Sequence, residues 1–300
     1  MSLRPVLASL RPHQWTKNLV VFAALGLSKH LFEAGPLVRS LAAFALFCGL
    51  SGTVYLVNDV ADVERDRLHP RKRLRPIASG ALPLRAGAIL AVVLGLVSLG
   101  LSLLLSPAFA VWALVYLLLN LAYSFKLKEV LIVDVLSVSL GFVLRAVAGA
   151  VAISVKISNW LLICTIFLAL FLTLCKRRHE LTSLSGSASG HRRILAEYSP
   201  YLLDQMINVV APSCVIAYAF YTTADETRQK FRTDQLVWTL PLVLYGIFRY
   251  LYLVHRKEQG GSPSDVLLTD RPLLGAVALW ALTILAIVYR ASGAPMPMGR

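Results

Sequence analysis

The sequence predicts an all-α, polytopic membrane protein. Apolar residues make up 57% of the 300 residues, only 15% are charged, and the mean hydropathy is +0.67. Soluble domains have about a quarter of their residues charged, and disordered chains have low hydrophobicity, so this composition excludes both classes. The apolar residues also occur in runs of about 20, the length that a helix needs to cross a bilayer. We therefore expect a single integral membrane domain over residues 1–300.

The apolar runs predict nine transmembrane helices. The first is the weakest, because Lys17 and Lys29 bracket a short run. Between the third and fourth helices, Pro107 follows Ser106 and interrupts what would otherwise be one overlong helix. The predicted helices cover about 18–32, 38–57, 84–106, 108–124, 131–154, 157–175, 202–222, 236–254 and 273–291.

The basic residues predict the orientation of these helices. Of the 30 Lys and Arg residues, 20 lie in the segments on the N-terminal side, 8 on the opposite side and 2 within spans. Cytoplasmic loops of membrane proteins carry an excess of Lys and Arg. We expect the N-terminus in the cytoplasm, the C-terminus outside, and cytoplasmic catalytic loops at about 58–85, 125–130 and 176–201. The net charge of +14 then reflects topology and anionic ligands, and no nucleic-acid partner is expected.

An acidic motif lies where the second predicted helix ends. Asn58, Asp59, Asp62 and Asp66 occur at relative positions i, i+1, i+4 and i+8, so we expect them to share one helical face. Three bare carboxylates on one face would repel each other, and a divalent cation removes that repulsion. Oxygen ligands that leave room for water and substrate phosphates suit Mg²⁺. The four residues are therefore the predicted metal ligands.

A basic cluster follows the acidic motif directly and consists of Arg65, Arg67, Arg71, Lys72, Arg73 and Arg75. A metal that bridges carboxylates to a diphosphate leaves phosphate oxygens for guanidinium groups to bind. The two clusters together indicate a Mg²⁺-diphosphate substrate. The alternative is a loop whose basic residues only enforce topology, but such a loop has no need of aligned carboxylates.

The acidic motif resembles the first Asp-rich motif of the UbiA superfamily of membrane prenyltransferases, which have nine transmembrane helices. Four further segments resemble the decaprenyl-phosphate phosphoribosyltransferase branch: RPHQWTKN at 11–18, HPRKRLRPIASG at 69–80, YSFKLK at 123–128 and CKRRHEL at 175–181. The resemblance runs over residues 11–181, with a weaker match at 264–273.

The resemblance implies a UbiA-like bundle in the inner membrane of a bacterium. The implied reaction moves 5-phosphoribose from phosphoribosyl diphosphate (PRPP) to a decaprenyl-type polyprenyl phosphate and releases diphosphate, for synthesis of cell-envelope arabinose donors. Mg²⁺ is the implied cofactor, with Asn58 and Asp62 as leading ligands. Lys17 would contact phosphate, and Tyr55 would line the donor pocket. The substrates and the membrane lipid are the expected partners, and the oligomeric state stays open.

A second DxxxD motif, which aromatic prenyltransferases of the superfamily carry, is incomplete here, with Asp134 present but Val138 at the other position. This pattern does not favour a second full metal site. Lys126, Lys128 and Arg145 supply positive charge nearby instead. Arg145 lies well inside a predicted span, where a charge is costly unless it faces partners or a wet cavity. The alternative for Arg145 is a structural ion pair with a carboxylate.

A third basic cluster, Lys176, Arg177 and Arg178, ends the sixth predicted helix and is expected to bind phosphate or to anchor the helix at the membrane edge. The developing positive charge on the ribose would be eased by carboxylates. The predicted catalytic residues are Asp62, Asp66 and Asp134. The predicted substrate-binding residues are Lys17, Tyr55, Arg73, Arg75, Lys126, Lys128, Arg145, Lys176, Arg177 and Arg178.

Two other functions compete with phosphoribosyl transfer. A UbiA-type prenyltransferase would move a prenyl group from prenyl diphosphate to an aromatic or other small acceptor; the incomplete second motif and the basic segments disfavour it. A transporter or channel would place charges along a path through the bilayer. The charges here are concentrated at one end, and no pair of Gly/Pro-interrupted helices in matching halves indicates alternating access.

Overall fold

The computed structural model describes residues 3–70, 72–183 and 193–290, and no strand occurs among them. Short 3₁₀ segments cover Pro12–Phe22, Lys72–Leu74, Leu127–Glu129, Arg193–Ala196 and Gln235–Thr239. The α-helices are α1 (Leu3–Leu10), α2 (Ala23–Leu27), α3 (Ala34–Ala61), α4 (Val63–Leu68), α5 (Leu84–Leu105), α6 (Pro107–Phe125), α7 (Val133–Ala152), α8 (Asn159–Ser183), α9 (Pro200–Thr223), α10 (Asp225–Phe231), α11 (Leu240–Arg256), α12 (Pro263–Thr269) and α13 (Arg271–Arg290).

Eight helices in the described ranges are long and apolar enough to cross a membrane: α3, α5, α6, α7, α8, α9, α11 with the 3₁₀ turn before it, and α13. Their outward faces carry exposed apolar side chains, such as Leu96 (66% exposed) and Leu104 (82% exposed) on α5. So much exposed apolar surface is expected only where lipid covers it. The prediction of an all-α, polytopic membrane protein is confirmed.

The first predicted helix, 18–32, does not form a regular transmembrane helix, and the count of nine is not confirmed. The 3₁₀ segment Pro12–Phe22 leads into the short helix α2 instead. This stretch runs antiparallel to α3, because Arg11 pairs with Asp59 near the end of α3 while Phe22 packs against Phe44 near its beginning, with ring centroids 5.4 Å apart. A 3₁₀ helix rises about 2 Å per residue, so residues 12–27 cover about 30 Å of the bundle's depth.

Helix caps explain where several spans begin. Ser106 caps α6, because its hydroxyl accepts a hydrogen bond from the backbone N–H of Phe109 at 3.0 Å, and Pro107 occupies the first helical position. Ser199 caps α9 in the same way through the N–H of Leu202. The predicted break between the third and fourth helices is therefore confirmed.

The helices pack in two groups that meet at α7 and α8. In the first group, α3, α5, α6, α7 and the 3₁₀ segment enclose a core that includes Phe47, Phe109 and Tyr116. In the second group, α8, α9 and α11 enclose another core that includes Phe171 and Tyr250. The polar cavity described below lies between the first group and the end of α8.

The predicted cytoplasmic segments do meet at one end of the bundle. Arg65 contacts Glu129 at 3.3 Å, and the Thr16 hydroxyl contacts that of Ser264 at 3.3 Å. The predicted loop 176–201 begins as helix, because α8 continues to Ser183; residues 184–192 and the C-terminal residues 291–300 lie outside the described residues. The side of the membrane on which this end lies stays a prediction.

Candidate active site

A cavity of about 420 Å³ lies at this end of the bundle, with walls from α3, α4, α6, α7, α8 and the 3₁₀ segment Pro12–Phe22. It collects residues that are far apart in the sequence. Nine of the predicted site residues line it: Lys17, Tyr55, Asn58, Asp62, Asp66, Arg75, Lys128, Arg145 and Lys176.

The acidic motif does not lie on one continuous helix. Helix α3 ends at Ala61, and Asp62 adopts a non-helical backbone (φ −100°, ψ 11°) before α4 begins. Asn58, Asp62 and Asp66 line the cavity, but Asp59 is buried away from it and pairs with Arg11 and Arg75. One residue turns a helix by about 100°, so neighbours cannot face the same way. The expected shared face is thus wrong for Asp59, and its metal role has no support in this geometry.

Basic side chains hold the two cavity-facing carboxylates in place. Both Asp62 oxygens accept hydrogen bonds from the Lys128 ammonium at 2.8 Å. An Asp66 oxygen accepts one from the Arg75 guanidinium at 2.6 Å. These contacts fix the direction of each carboxylate.

The oxygen ligands in this wall suit a metal ion that is also bound by substrate phosphates better than an ion enclosed by protein ligands alone. The described residues contain no group of three or more His, Cys, Asp and Glu side chains that would enclose an ion. The amide of Asn58 and the carboxylates of Asp62 and Asp66 nevertheless face one cavity. Mg²⁺ is commonly held by one or two carboxylates together with substrate phosphates. The residues present therefore fit Mg²⁺ bound jointly with a diphosphate.

Arg145 is buried in the middle of α7 and has only neutral partners. Its guanidinium donates to the side-chain oxygen of Asn18 at 2.8 Å, to the hydroxyl of Tyr116 at 2.6 Å and to the backbone carbonyl of Gly141 at 2.9 Å. No carboxylate in the described ranges lies within 4.0 Å of it. Arg145 therefore does not form the structural ion pair that was the alternative. Its positive charge faces the cavity without a carboxylate beside it in the described residues.

The wall as a whole is positively charged. It contains eight Lys and Arg side chains against four Asp and Glu side chains. No ion pair joins Lys17 to a carboxylate in the part of the chain that the structure describes, whereas Lys176 lies 3.7 Å from Glu180. A concave surface with an excess of one charge concentrates ligands of the opposite charge. The cavity is suited to a polyanionic ligand.

Comparison with known proteins decides the family. The model of the UbiA prenyltransferase family matches residues 19–262. The chain belongs to the UbiA prenyltransferase family. It is 35% identical to the decaprenyl-phosphate phosphoribosyltransferase of Corynebacterium glutamicum, over 95% of this chain and 86% of that protein. It is 34% identical to the protein of the same name from Mycobacterium tuberculosis, over 94% of each chain.

Solved structures agree with the UbiA fold. A UbiA homolog from Archaeoglobus fulgidus, solved bound to GPP and Mg²⁺, superposes with a TM-score of 0.71 over 97% of this chain and 100% of the homolog. The two sequences are 17% identical, so this likeness supports the fold alone. The resemblance drawn from the acidic motif is confirmed at the level of the family.

The incomplete second motif has a structural role in this UbiA-family chain. Asp134 is fully buried, accepts hydrogen bonds from Arg177 and from the hydroxyl of Tyr198, both at 2.8 Å, and does not line the cavity. Burial and this hydrogen bond raise the pKa of Tyr198 to about 12, so its hydroxyl remains a donor. The predicted catalytic role of Asp134 does not fit this position. Val138 faces the cavity instead.

Four predicted phosphate-binding residues lie outside the cavity wall. Arg177 is buried and occupied by Asp134 and Glu180. Arg178 pairs with Asp204 on α9 at 2.5 Å. Arg73 and Lys126 are exposed on the surface and do not line the cavity. Sequence reasoning identified the basic segments but not which members face inward, because that depends on the rotation of each helix.

The structure adds cavity residues that the sequence analysis did not single out. Arg11 and Gln14 precede Lys17 at steps of three residues, the period of a 3₁₀ helix, so all three share one face. On α6, a polar stripe with the α-helical spacing i, i+4, i+7 interrupts an apolar sequence. Both spacings are visible in the sequence and could have indicated these cavity-lining faces. The stripe consists of Tyr116, Asn120 and Tyr123, and Ser51 and His69 also line the cavity.

Proposed function

We propose that this chain transfers 5-phosphoribose from PRPP to a decaprenyl-type polyprenyl phosphate and releases diphosphate, for synthesis of cell-envelope arabinose donors. The observation that carries the proposal is its 32–35% identity, over nearly the whole chain, to proteins named decaprenyl-phosphate phosphoribosyltransferase. The excess of Lys and Arg in the cavity wall agrees with it, because two phosphorylated substrates must lie side by side there.

The acidic side chains of the cavity would hold Mg²⁺ in this proposal. Asn58, Asp62 and Asp66 supply the oxygen ligands, and the bound ion would neutralise charge on the leaving diphosphate. Lys128 and Arg75 keep the two carboxylates in position through the contacts described above. Asp66 is also the remaining candidate to ease positive charge that develops on the ribose.

The main catalytic task of the chain is to position two anions that repel each other. A phosphate monoester is largely ionised near neutral pH, so the acceptor needs no strong general base. The remaining cations of the wall, among them Lys17 and Arg145, offset the mutual repulsion of the substrates. Holding both reactants in the correct geometry supplies a large part of the rate enhancement in such reactions.

The proposal includes one integral membrane domain in a bacterial inner membrane, with the cavity and the N-terminus on the cytoplasmic side. The excess of basic residues in the segments at the cavity end supports this orientation. There a water-soluble donor can reach the acidic residues while the polyprenyl tail stays in the bilayer. A protease site added before Leu3 is expected to be cleaved in inverted vesicles and protected in intact cells; the reverse pattern would contradict this orientation.

The proposal is tested by offering the purified protein two alternative donor substrates in parallel. PRPP labelled in its ribose is incubated with polyprenyl phosphate and Mg²⁺, in parallel with labelled prenyl diphosphate and an aromatic acceptor. We expect label in the lipid fraction from PRPP alone, with at least a tenfold lower rate for Asp62→Ala, since loss of a metal ligand typically costs that much or more. The exposed Lys126→Ala is the control. Prenylated product without any product from PRPP would refute the proposal in favour of a prenyltransferase.

A further inference from the structure

A buried polar network surrounds Arg145 and lies apart from the acidic motif. The oxygen of the Asn18 side chain accepts hydrogen bonds from Arg145 and from the hydroxyl of Ser51, the latter at 3.2 Å. The Asn18 amide nitrogen donates to the sulfur of Cys48 at 3.3 Å, which fixes the direction of the amide. The hydroxyl of Tyr116 contacts both Ser51 and Arg145, and its ring lies 4.6 Å from the guanidinium carbon.

This network holds a positive charge and does not neutralise it. A buried charge that is surrounded only by dipoles is costly, and buried Arg side chains normally pair with an anion. Three of the five guanidinium N–H groups have partners in the described residues, which leaves two as donors for a ligand. Lys17 precedes Asn18 directly and lines the same cavity. The two side chains together place two cationic groups on the wall of one cavity.

The pair lies deeper in the bundle than the acidic motif. Along α3, Ser51 contacts the Asn18 network, Asn58 is seven residues nearer the cavity mouth, and Asp62 follows at the end of the helix. A helix rises about 1.5 Å per residue, which places Ser51 about 10 Å from Asn58 along the axis. An anion held by Arg145 is therefore a group other than the diphosphate bound beside Asn58 and Asp62.

We propose that Lys17 and Arg145 form a separate subsite for a phosphate monoester, and that Asn18 and Tyr116 are positioning residues that aim the Arg145 guanidinium at it. This inference rests on the proposed function and deepens it. A phosphate monoester carries up to two negative charges, which match the two cations. Two sources share this chemistry: the 5-phosphate of the donor and the phosphate of the lipid acceptor.

Asn18→Asp is the sharpest test, because it keeps the size of the side chain and its hydrogen bond to Arg145 while adding a carboxylate. A merely structural role of Asn18 predicts that stability and kinetics are unchanged or improved, since Arg145 gains an ion pair. If the subsite exists, the substitution should weaken binding of the monoester, because the new carboxylate neutralises Arg145 and repels phosphate. We expect the apparent affinity for the monoester to fall about 10- to 100-fold, as for the loss of a charged contact.

Two pairs of conservative substitutions, each a test variant with a matched control, separate a loss of monoester binding from general destabilisation. Tyr116→Phe removes one hydroxyl that contacts Arg145 and is expected to raise the KM of the monoester substrate several-fold. Tyr218→Phe removes an equally buried, hydrogen-bonded hydroxyl in the α9–α13 core, away from the cavity, and should leave KM unchanged. Likewise, Arg145→Gln should raise KM, and Arg39→Gln, at the opposite end of the bundle, should not.

The assay measures KM for PRPP, for polyprenyl phosphate and for ribosyl 1-diphosphate, which lacks the 5-phosphate. If the donor supplies the monoester, the wild-type preference for PRPP over ribosyl 1-diphosphate is at least tenfold in kcat/KM and disappears in Asn18→Asp and Arg145→Gln. If the acceptor supplies it, that preference is retained and the KM of polyprenyl phosphate rises at least tenfold. If the variants are active and neither the preference for PRPP nor the KM of polyprenyl phosphate changes, the subsite is refuted.

A binding measurement separates failure of the subsite from failure of the proposed function. Ribose 5-phosphate is added to the purified protein without any acceptor, and the thermal unfolding temperature is recorded. If the wild-type protein makes no product from PRPP, the proposed function fails. Stabilisation by ribose 5-phosphate that is lost in Asn18→Asp would still support the subsite in that case. A wild-type protein that is stabilised neither by ribose 5-phosphate nor, in a parallel sample, by polyprenyl phosphate would refute it.

Discussion

Gly149 on α7 allows the 3₁₀ segment to pack directly against that helix. A Cβ atom built on Gly149 would meet the carbonyl oxygen of Val21, and would lie 2.9 Å from its carbonyl carbon and 3.0 Å from its Cα. Backbone atoms cannot rotate away as a long side chain can. Gly149→Ala therefore forces the two backbones apart, and the displaced segment carries Lys17 and Asn18 in the preceding turn.

The cost of this substitution follows from the contact distances. Carbon atoms pack at about 3.5–4.0 Å, so the segment must retreat by more than about half an ångström. Overpacking of this kind costs about 1–3 kcal/mol, against about 0.5–1 kcal/mol gained from replacing Gly by Ala in a helix. The expected net loss is about 1–2 kcal/mol, which lowers the unfolding temperature by about 2–8 °C. We also expect KM to rise, because Arg145 loses its aligned partner.

Thermal unfolding in detergent and substrate kinetics measure both effects. Gly246→Ala on α11 is the matched control, since a Cβ at Gly246 has no atom within 4 Å, and it should leave stability unchanged or raised. A Gly149→Ala protein as stable as the wild type, with unchanged KM, would refute the argument that the close approach of Val21 positions the cavity wall.

Three further predictions concern the metal site and the structural contacts of Arg39 and Asp134. Chelation of divalent cations by EDTA should abolish label transfer and added Mg²⁺ should restore it; full activity in EDTA would contradict a metal at Asp62. Arg39→Gln should lower the unfolding temperature without changing either KM, because Arg39 donates to the carbonyls that end α5 and α7 at 3.0 and 2.6 Å; a changed KM would show that its role extends to the cavity. Asp134→Asn should cost about 3 kcal/mol in unfolding free energy, because it leaves buried Arg177 short of a counter-charge; unchanged stability would remove the structural role assigned to Asp134.

The spans were largely predictable from the sequence, because a bilayer demands long apolar helices and leaves a clear pattern. The Ser106-Pro107 break was readable for a local reason, a cap followed by a proline. The 3₁₀ form of Pro12–Phe22 was not, since its apolar residues suit an α-helix equally well and the segment packs backbone to backbone against Gly149 of α7, far away in the sequence. Long-range packing of this kind leaves no local trace.

The candidate site was predictable in composition but not in detail. Asn58, Asp62 and Asp66 were placed correctly at one cavity, although the helix on which the prediction relied ends at Ala61 and Asp66 lies on α4. Asp59 was misassigned, since its neighbours Arg11 and Arg75 come from elements whose positions the sequence does not state. For the same reason Asp134 was taken for a catalytic residue, although its partner Arg177 lies on the next helix.

The central claim is that one cavity binds PRPP, with its diphosphate at the acidic motif and a phosphate monoester at a separate set of cations. An experimental structure with PRPP, and with Mn²⁺ in place of Mg²⁺ so that the anomalous signal marks the metal, tests it most directly. We predict the metal beside Asn58 and Asp62 together with the diphosphate. If the donor supplies the monoester, we also predict its 5-phosphate against Lys17 and Arg145. A metal beside Asp134, or PRPP bound outside this cavity, would contradict the account.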